Sequence, residues 1–383
     1  MNGLNTELCC ARMPFRGKER LVTVLYEEGR AVELHAQAAE ESSILGNIYL
    51  GRIEKTDPQL AAAFVQISSG QRVYMPLSRG AKYKAGEELA VQITQEAQKT
   101  KLPKATDRWE IAGEYMVLSS VEGPVNYSRK LDVEERSVLR SMTSHWNRRA
   151  GLLFRTRAAQ ADAAALREEY DSLLRQCEEI KAKALSRTLY TTLHTAAGIQ
   201  EEILNRVSDP QSVRFLTDDA SLFEKMKDFC SKKGIPATLY RDPQLDLFRL
   251  RNMTTLLDHL TSRTVHLSSG ASLIIEQTEA FTVIDVNTAR SSSKKEPDEA
   301  IARINREAAS AAASQIRLRQ LSGTILIDFI NSRNPADEQE LLSYLRSCLW
   351  PDPVPTKAVD FTPLHICEIT RKKRYRSLAE QLG

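Results

Sequence analysis

Between residues 18 and 35 apolar and polar positions alternate. Leu21, Val22, Val24 and Leu25 precede a turn at Glu28-Gly29-Arg30, and Val32 and Leu34 follow it. A period of two broken by glycine predicts a hairpin. From Gly46 to about Ala97 the apolar runs are short, at 47–53, 61–67, 73–76 and 89–94. They are punctuated by Asp57-Pro58, Ser68-Ser69-Gly70 and Lys84-Ala85-Gly86. Short strands between regular turns predict a small β-barrel. Residues 98–108 are polar and basic and read as a loop. Beyond them, 115–119, 152–156 and 238–240 read as strands, and 132–149, 160–185, 198–207, 221–234 and 253–262 as helices.

The last region has the clearest pattern. Residues 271–277 and 281–286 read as strands joined by a tight connection at Thr278-Glu279. A polar loop, Ser291-Ser292-Ser293-Lys294-Lys295, leads to Pro297, a residue suited to a helix start. Ile301, Ile304, Ala308, Ala312 and Ile316 then recur at helical spacing as far as about Arg319. Gly323 closes that helix, and 324–329 reads as a third strand. No internal repeat or long low-complexity tract interrupts the chain.

Composition narrows the class. A chain of 383 residues with 42% hydrophobic and 27% charged residues fits two to four globular domains. No apolar run approaches the ~18 residues of a membrane span. No apolar signal core follows Arg12, Arg16, Lys18 and Arg20, so a cytoplasmic location is expected. The cysteines at 9, 10, 177, 230, 348 and 367 form no C-x-x-C pair and are expected as thiols without a structural zinc site. A net charge of +3 says little about partners, but basic residues cluster at Arg371-Lys372-Lys373-Arg374-Tyr375-Arg376 and at Arg148-Arg149, Arg155 and Arg157.

Candidate chemistry sits at two strand ends. Val283-Ile284-Asp285-Val286-Asn287 and Ile325-Leu326-Ile327-Asp328-Phe329 each place an aspartate late in an apolar run, 43 positions apart. Strand, helix and strand form a crossover unit, so the two strands should be parallel and both carboxylates should meet at one sheet edge. Two close carboxylates repel, and a divalent cation relieves the repulsion. Mg²⁺ takes oxygen ligands, keeps waters and uses one or two protein carboxylates, and beside a phosphodiester it supplies both a nucleophile and charge neutralisation. Asn287 should share the face of Asp285 and donate to a phosphate oxygen. A lone strand-end aspartate is more often a cap or turn residue, and the matched pair is what favours a metal site.

These residues resemble the ribonuclease E/G family. The resemblance rests on 278–290, on Asn305-Arg306-Glu307-Ala308-Ala309 with Gln315-Ile316-Arg317-Leu318-Arg319, on 323–330 and on Glu368-Ile369-Thr370-Arg371-Lys372-Lys373. Order and spacing match over about a hundred residues, and weaker similarity reaches the N-terminus. The resemblance implies a multidomain α+β architecture. Its parts would be an RNase H-like subdomain in two segments (1–42 and 186–262), an OB-fold RNA-binding barrel (43–115), a 5′-sensor (116–185) and a DNase I-like catalytic domain (263–383).

By the same resemblance Asp285 and Asp328 bind Mg²⁺, with Mn²⁺ as an alternative ion, and Asn287 contacts the scissile phosphate. The partner is single-stranded RNA, cut to 5′-phosphate and 3′-hydroxyl ends in ribosomal precursor processing or messenger decay. Phe64 and Tyr74 fall at RNA-stacking positions and Lys101 at a backbone contact, although composition alone makes Phe64 a core residue. Gly113, Val117, Arg155 and Thr156 resemble a pocket for a 5′-monophosphate, but Arg157-Ala158-Ala159-Gln160 replaces the family's glycine-containing loop. The C-x-x-C motif that shares zinc between subunits does not occur before Gly383. Zinc is therefore not expected, and self-association without it stays open. A non-cleaving RNA-binding relative is the main alternative. A nucleotide phosphotransferase is the other, and no G-x-x-x-x-G-K-[ST] loop supports it.

Overall fold

The computed structural model describes residues 6–38, 43–78, 80–97, 101–146, 150–207, 209–288, 298–331 and 335–383. The architecture is α+β, and the chain divides into two compact units, Ser43–Ser208 and Met1–Ser42 with Asp209–Gly383.

Within Ser43–Ser208, the strands Ile48–Asp57, Ala62–Ser68, Gln71–Pro76, Lys104–Thr106 and Glu88–Gln95 pair in that order, and the last pairs back onto the first. The result is a closed five-stranded barrel. Alternation sends Ile53, Ala63, Val65, Ile67, Val73, Met75, Val91, Ile93 and Ala105 inward, where they form the barrel core. Lys104–Thr106 and Glu110–Ala112 are strands in or next to the stretch expected as a loop. Each is three residues long, too short to show a period.

A second sheet orders Val125–Tyr127, Leu152–Phe154, Met116–Ser119 and Glu110–Ala112. The helices Val133–Thr143 and Ala163–Ser186 flank it, and Phe154, Leu166 and Tyr170 are buried in their shared core. Both helices begin where an aspartate caps them, at Asp132 and Asp162. Residues 186–208, read from sequence as part of the segment 186–262, belong to this unit, and Thr192–His194 pairs with the first barrel strand.

The other unit holds two sheets. One orders Ala237–Leu239, Val213–Thr217, Thr6–Phe15, Lys18–Glu27 and Arg30–Ala38, the last two being the expected hairpin. The other orders Thr264–His266, Ser272–Gln277, Phe281–Asn287, Gly323–Asp328, Ile366–Arg371 and Thr356–Phe361. Within it only Phe281–Asn287 and Gly323–Asp328 pair in parallel, joined by the helix Asp298–Leu318.

Helix residues Ala308, Ala312 and Ile316, with Leu342 and Leu345 of the helix Pro335–Leu349, bury one face of this sheet against Ile284, Val286, Ile325 and Ile327. Gly323 does not close the long helix. The helix ends at Leu318, Gln320 makes the reversal at φ 52, and Gly323 is the first residue of the next strand. The expected polar loop 291–295 and Pro297 lie outside the described residues.

Candidate active site

The crossover unit brings the two aspartates side by side. Phe281–Asn287 and Gly323–Asp328 run parallel with Asp285 opposite Asp328. Neighbours in register stand on the same face, and adjacent strands lie ~4.8 Å apart. Ile284, Val286 and Ile327 take the helix-covered face, which turns Asp285 and Asp328 to the opposite, open one. Asp285 is half-buried and Asp328 exposed.

Asn287 lies on the same open face, and its amide donates to Asp285 Oδ2 at 2.7 Å. It therefore fixes the rotation of that carboxylate. Among the described residues no cationic side chain pairs with either aspartate. Nor is any group of three or more His, Cys, Asp or Glu side chains placed to hold a metal. Two uncompensated carboxylates in register suit a hard divalent ion that keeps most of its waters, and they do not suit a closed zinc cage.

The strand end after Asp328 is held from behind. Buried Asn305 donates to the carbonyl of Ile330 at 2.7 Å and accepts from its N–H at 3.1 Å. Arg306 pairs with Glu340. The carboxylate of Glu307 accepts from the backbone and hydroxyl of Ser268 and from the backbone of Ser269, and those hydrogen bonds lower its pKa. Asn305-Arg306-Glu307 is thus a bracing segment, a role its sequence alone does not reveal. A cavity of about 510 Å³ opens beside this strand end, lined by Arg303, Asn305, Phe329, Asn331, Phe361 and His365 among others.

The basic run at 371–376 is not one solvated face. Arg371 is 3% exposed and pairs with Asp352 at 2.7 Å, and it also donates to the Leu321 carbonyl and Gln320. Tyr375 is buried with its ring edge-on to His35 at 4.8 Å. Arg319 reaches the carbonyls of Ser262 and His259, and burial pulls its pKa down to about 10. Arg148 and Arg149 lie outside the described residues.

In the barrel unit, Phe64 and Tyr74 stand opposite each other on neighbouring strands, both half-buried, with ring centroids 6.0 Å apart at 73°. Phe64 is not a core residue. Its neighbours Ala63 and Val65 point inward, so its ring points outward. Lys101 is exposed just before the strand Lys104–Thr106.

Among the other predicted residues, Arg155 donates to the Gly113 carbonyl, and burial lowers its pKa. Val117 lies one strand in, opposite Ala112 and Leu153. The Thr156 hydroxyl pairs with that of Ser128 at 2.9 Å. Glu169 had no sequence signal. Its carboxylate accepts from the backbone N–H groups of Glu114, Tyr115 and Met116. It fills the space a Cβ at position 113 would need, so a larger residue there would have to push the Glu169 carboxylate off these bonds. Burial raises the Glu169 pKa despite these bonds. Arg157, in the turn Thr156–Gln160, pairs with Glu114 at 2.8 Å.

The model of the Ribonuclease E/G family matches residues 110–374. Ribonuclease G of Escherichia coli (strain K12) is 29% identical over 390 residues, covering 94% of this chain and 79% of that protein. Ribonuclease E of Synechocystis sp. is 29% identical over 365 residues, covering 89% of this chain and 54% of that protein. Ribonuclease E of Haemophilus influenzae is 27% identical over 392 residues, covering 95% and 41%.

Proposed function

The chain belongs to the ribonuclease E/G family and is an endoribonuclease; from that premise we propose that it hydrolyses phosphodiester bonds in single-stranded RNA with Mg²⁺, leaving 5′-phosphate and 3′-hydroxyl ends. The observation that carries the metal assignment is the register of Asp285 with Asp328 on the open sheet face, with no cation paired to either among the described residues.

Asp285 and Asp328 would hold the ion. When bound, Mg²⁺ supplies an activated water and neutralises charge on the phosphate. Asn287 uses one amide N–H to orient Asp285, and its second is left for a non-bridging phosphate oxygen. Mn²⁺ would use the same ligands. We read 263–383 as the DNase I-like catalytic domain, the barrel as an OB fold, and 1–42 with part of 186–262 as the RNase H-like subdomain. Phe64 and Tyr74 stack bases, Lys101 follows the RNA backbone, and Gly113, Val117, Arg155 and Thr156 receive a 5′-monophosphate. The setting is RNA processing or decay, ribosomal precursors included, in the cytoplasm.

A non-cleaving RNA-binding relative is the second reading. It has no physical use for two adjacent carboxylates that repel when no ion is bound. The deciding experiment is cleavage of 5′-labelled single-stranded RNA with and without Mg²⁺. Asp285→Asn and Asp328→Asn should each slow cleavage by about 10²-fold or more, as when transition-state electrostatics are lost, with RNA affinity nearly unchanged. Cleavage by either variant at the parental rate would remove the metal assignment.

A further inference from the structure

The barrel face that carries Phe64 and Tyr74 holds more than two rings. Lys55 pairs in register with Phe64, Phe64 with Tyr74, and Tyr74 with Lys104. Residues in register on neighbouring strands share a face. Four side chains therefore form one row across the outside of the barrel, in the order cation, ring, ring, cation. Ala63, Val65, Val73, Met75 and Ala105, the sequence neighbours of the last three, are all turned into the barrel core.

An irregularity in the pairing decides the charge at one end. Ile53 is opposite Val65, so regular pairing would set Glu54 against Phe64. The register shifts between Ile53 and Lys55, and Lys55 takes the place instead. A bulge of this kind re-aims a side chain, and here it replaces an acid with a base beside the ring. Glu54 is drawn off to Arg72 at 3.5 Å. The Lys55 ammonium lies 4.9 Å from the centroid of Phe64. Lys55 and Lys104 are both exposed, and among the described residues no acid pairs with either.

We propose that Lys55 and Lys104 are RNA-binding residues, and that the row takes a two-base step of single-stranded RNA with a backbone phosphate at each end. The inference rests on the reading of the chain as a single-strand nuclease and extends it to two residues outside the set already assigned. Rings accept any base face, and lysines at the ends supply the positive charge that tracks the backbone. In the free protein Lys55 covers the face of Phe64. A base that stacks there takes its place, and the ammonium moves to that nucleotide's phosphate.

The test is anisotropy of a fluorescent, unstructured RNA oligonucleotide on the full chain in EDTA, so that nothing is cut, across a range of salt. Lys55→Ala and Lys104→Ala should each weaken binding about three- to tenfold and lower the slope of log affinity against log salt by about 0.7, with the double variant near 1.4. Lys55→Arg should keep the slope. Lys55→Glu, which restores the sign of charge the bulge excludes, should lose more than Lys55→Ala. If Phe64→Ala and Tyr74→Ala weaken binding while both lysine variants keep the parental affinity and slope, the inference fails and RNA binding by the barrel face stands. If none of the four variants weakens binding, the reading of that face as an RNA site fails with it.

Discussion

Asn305 illustrates how a single side chain can matter more than its sequence suggests. Placed mid-helix, it looks like an ordinary polar position, yet both ends of its amide bond the backbone of Ile330, two residues beyond Asp328. Its removal leaves a donor and an acceptor unsatisfied next to the strand that carries Asp328. Asn305→Ala should cost about 1–3 kcal/mol in urea unfolding, the usual penalty for buried unpaired groups. It should also slow cleavage more than it weakens RNA binding, because the strand end that fixes Asp328 is loosened. Unchanged stability and cleavage would mean the brace is idle. Arg371 gives the opposite lesson. Its sequence neighbourhood suggests a solvated basic patch, and its guanidinium is instead consumed by Asp352 in the interior.

At the level of elements, the turn Thr156–Gln160 and the residue before it have a defined job. Arg155 grips the Gly113 carbonyl, Arg157 grips Glu114, and Glu169 of the long helix holds three successive backbone N–H groups. The segment 113–116 is therefore clamped on several sides. RNA with a 5′-monophosphate should be cut faster than RNA with a 5′-hydroxyl. Glu169→Ala should bring that ratio toward one with little change in the rate on 5′-hydroxyl substrate, since the clamp shapes the pocket and does not touch the aspartates. Equal rates on the two substrates in the parent protein would show that the pocket does not read the 5′ end.

Considered as a whole, and on the proposed roles, the molecule assigns holding to one unit and cutting to the other. The aromatic pair and the 113–117 segment belong to Ser43–Ser208, and both aspartates to the other unit. Mg²⁺ should therefore stabilise the unit with the aspartates alone. At ten times its Kd the ion adds about 1.4 kcal/mol to a folded state that binds it. Calorimetry should show a Mg²⁺-dependent rise in one melting transition, lost in Asp285→Asn. A shift that persists in Asp285→Asn would place the ion elsewhere. Among the described residues no helix is long and apolar enough to cross a membrane.

Sequence alone determined the strand, helix and strand that carry Asp285 and Asp328, the barrel strands at 47–94, and the hairpin near the N-terminus. Those features follow from hydrophobic period, turn residues and the handedness of crossovers, all of which act over short stretches of chain. Tertiary structure decided what lies opposite what. It turned Phe64 outward, put Lys55 in the place of Glu54, buried Arg371 against Asp352, and brought Glu169 to backbone amides more than fifty residues away. Register across strands and contacts distant in sequence set these outcomes, and a one-residue bulge reverses a charge without leaving any mark in the hydrophobic pattern.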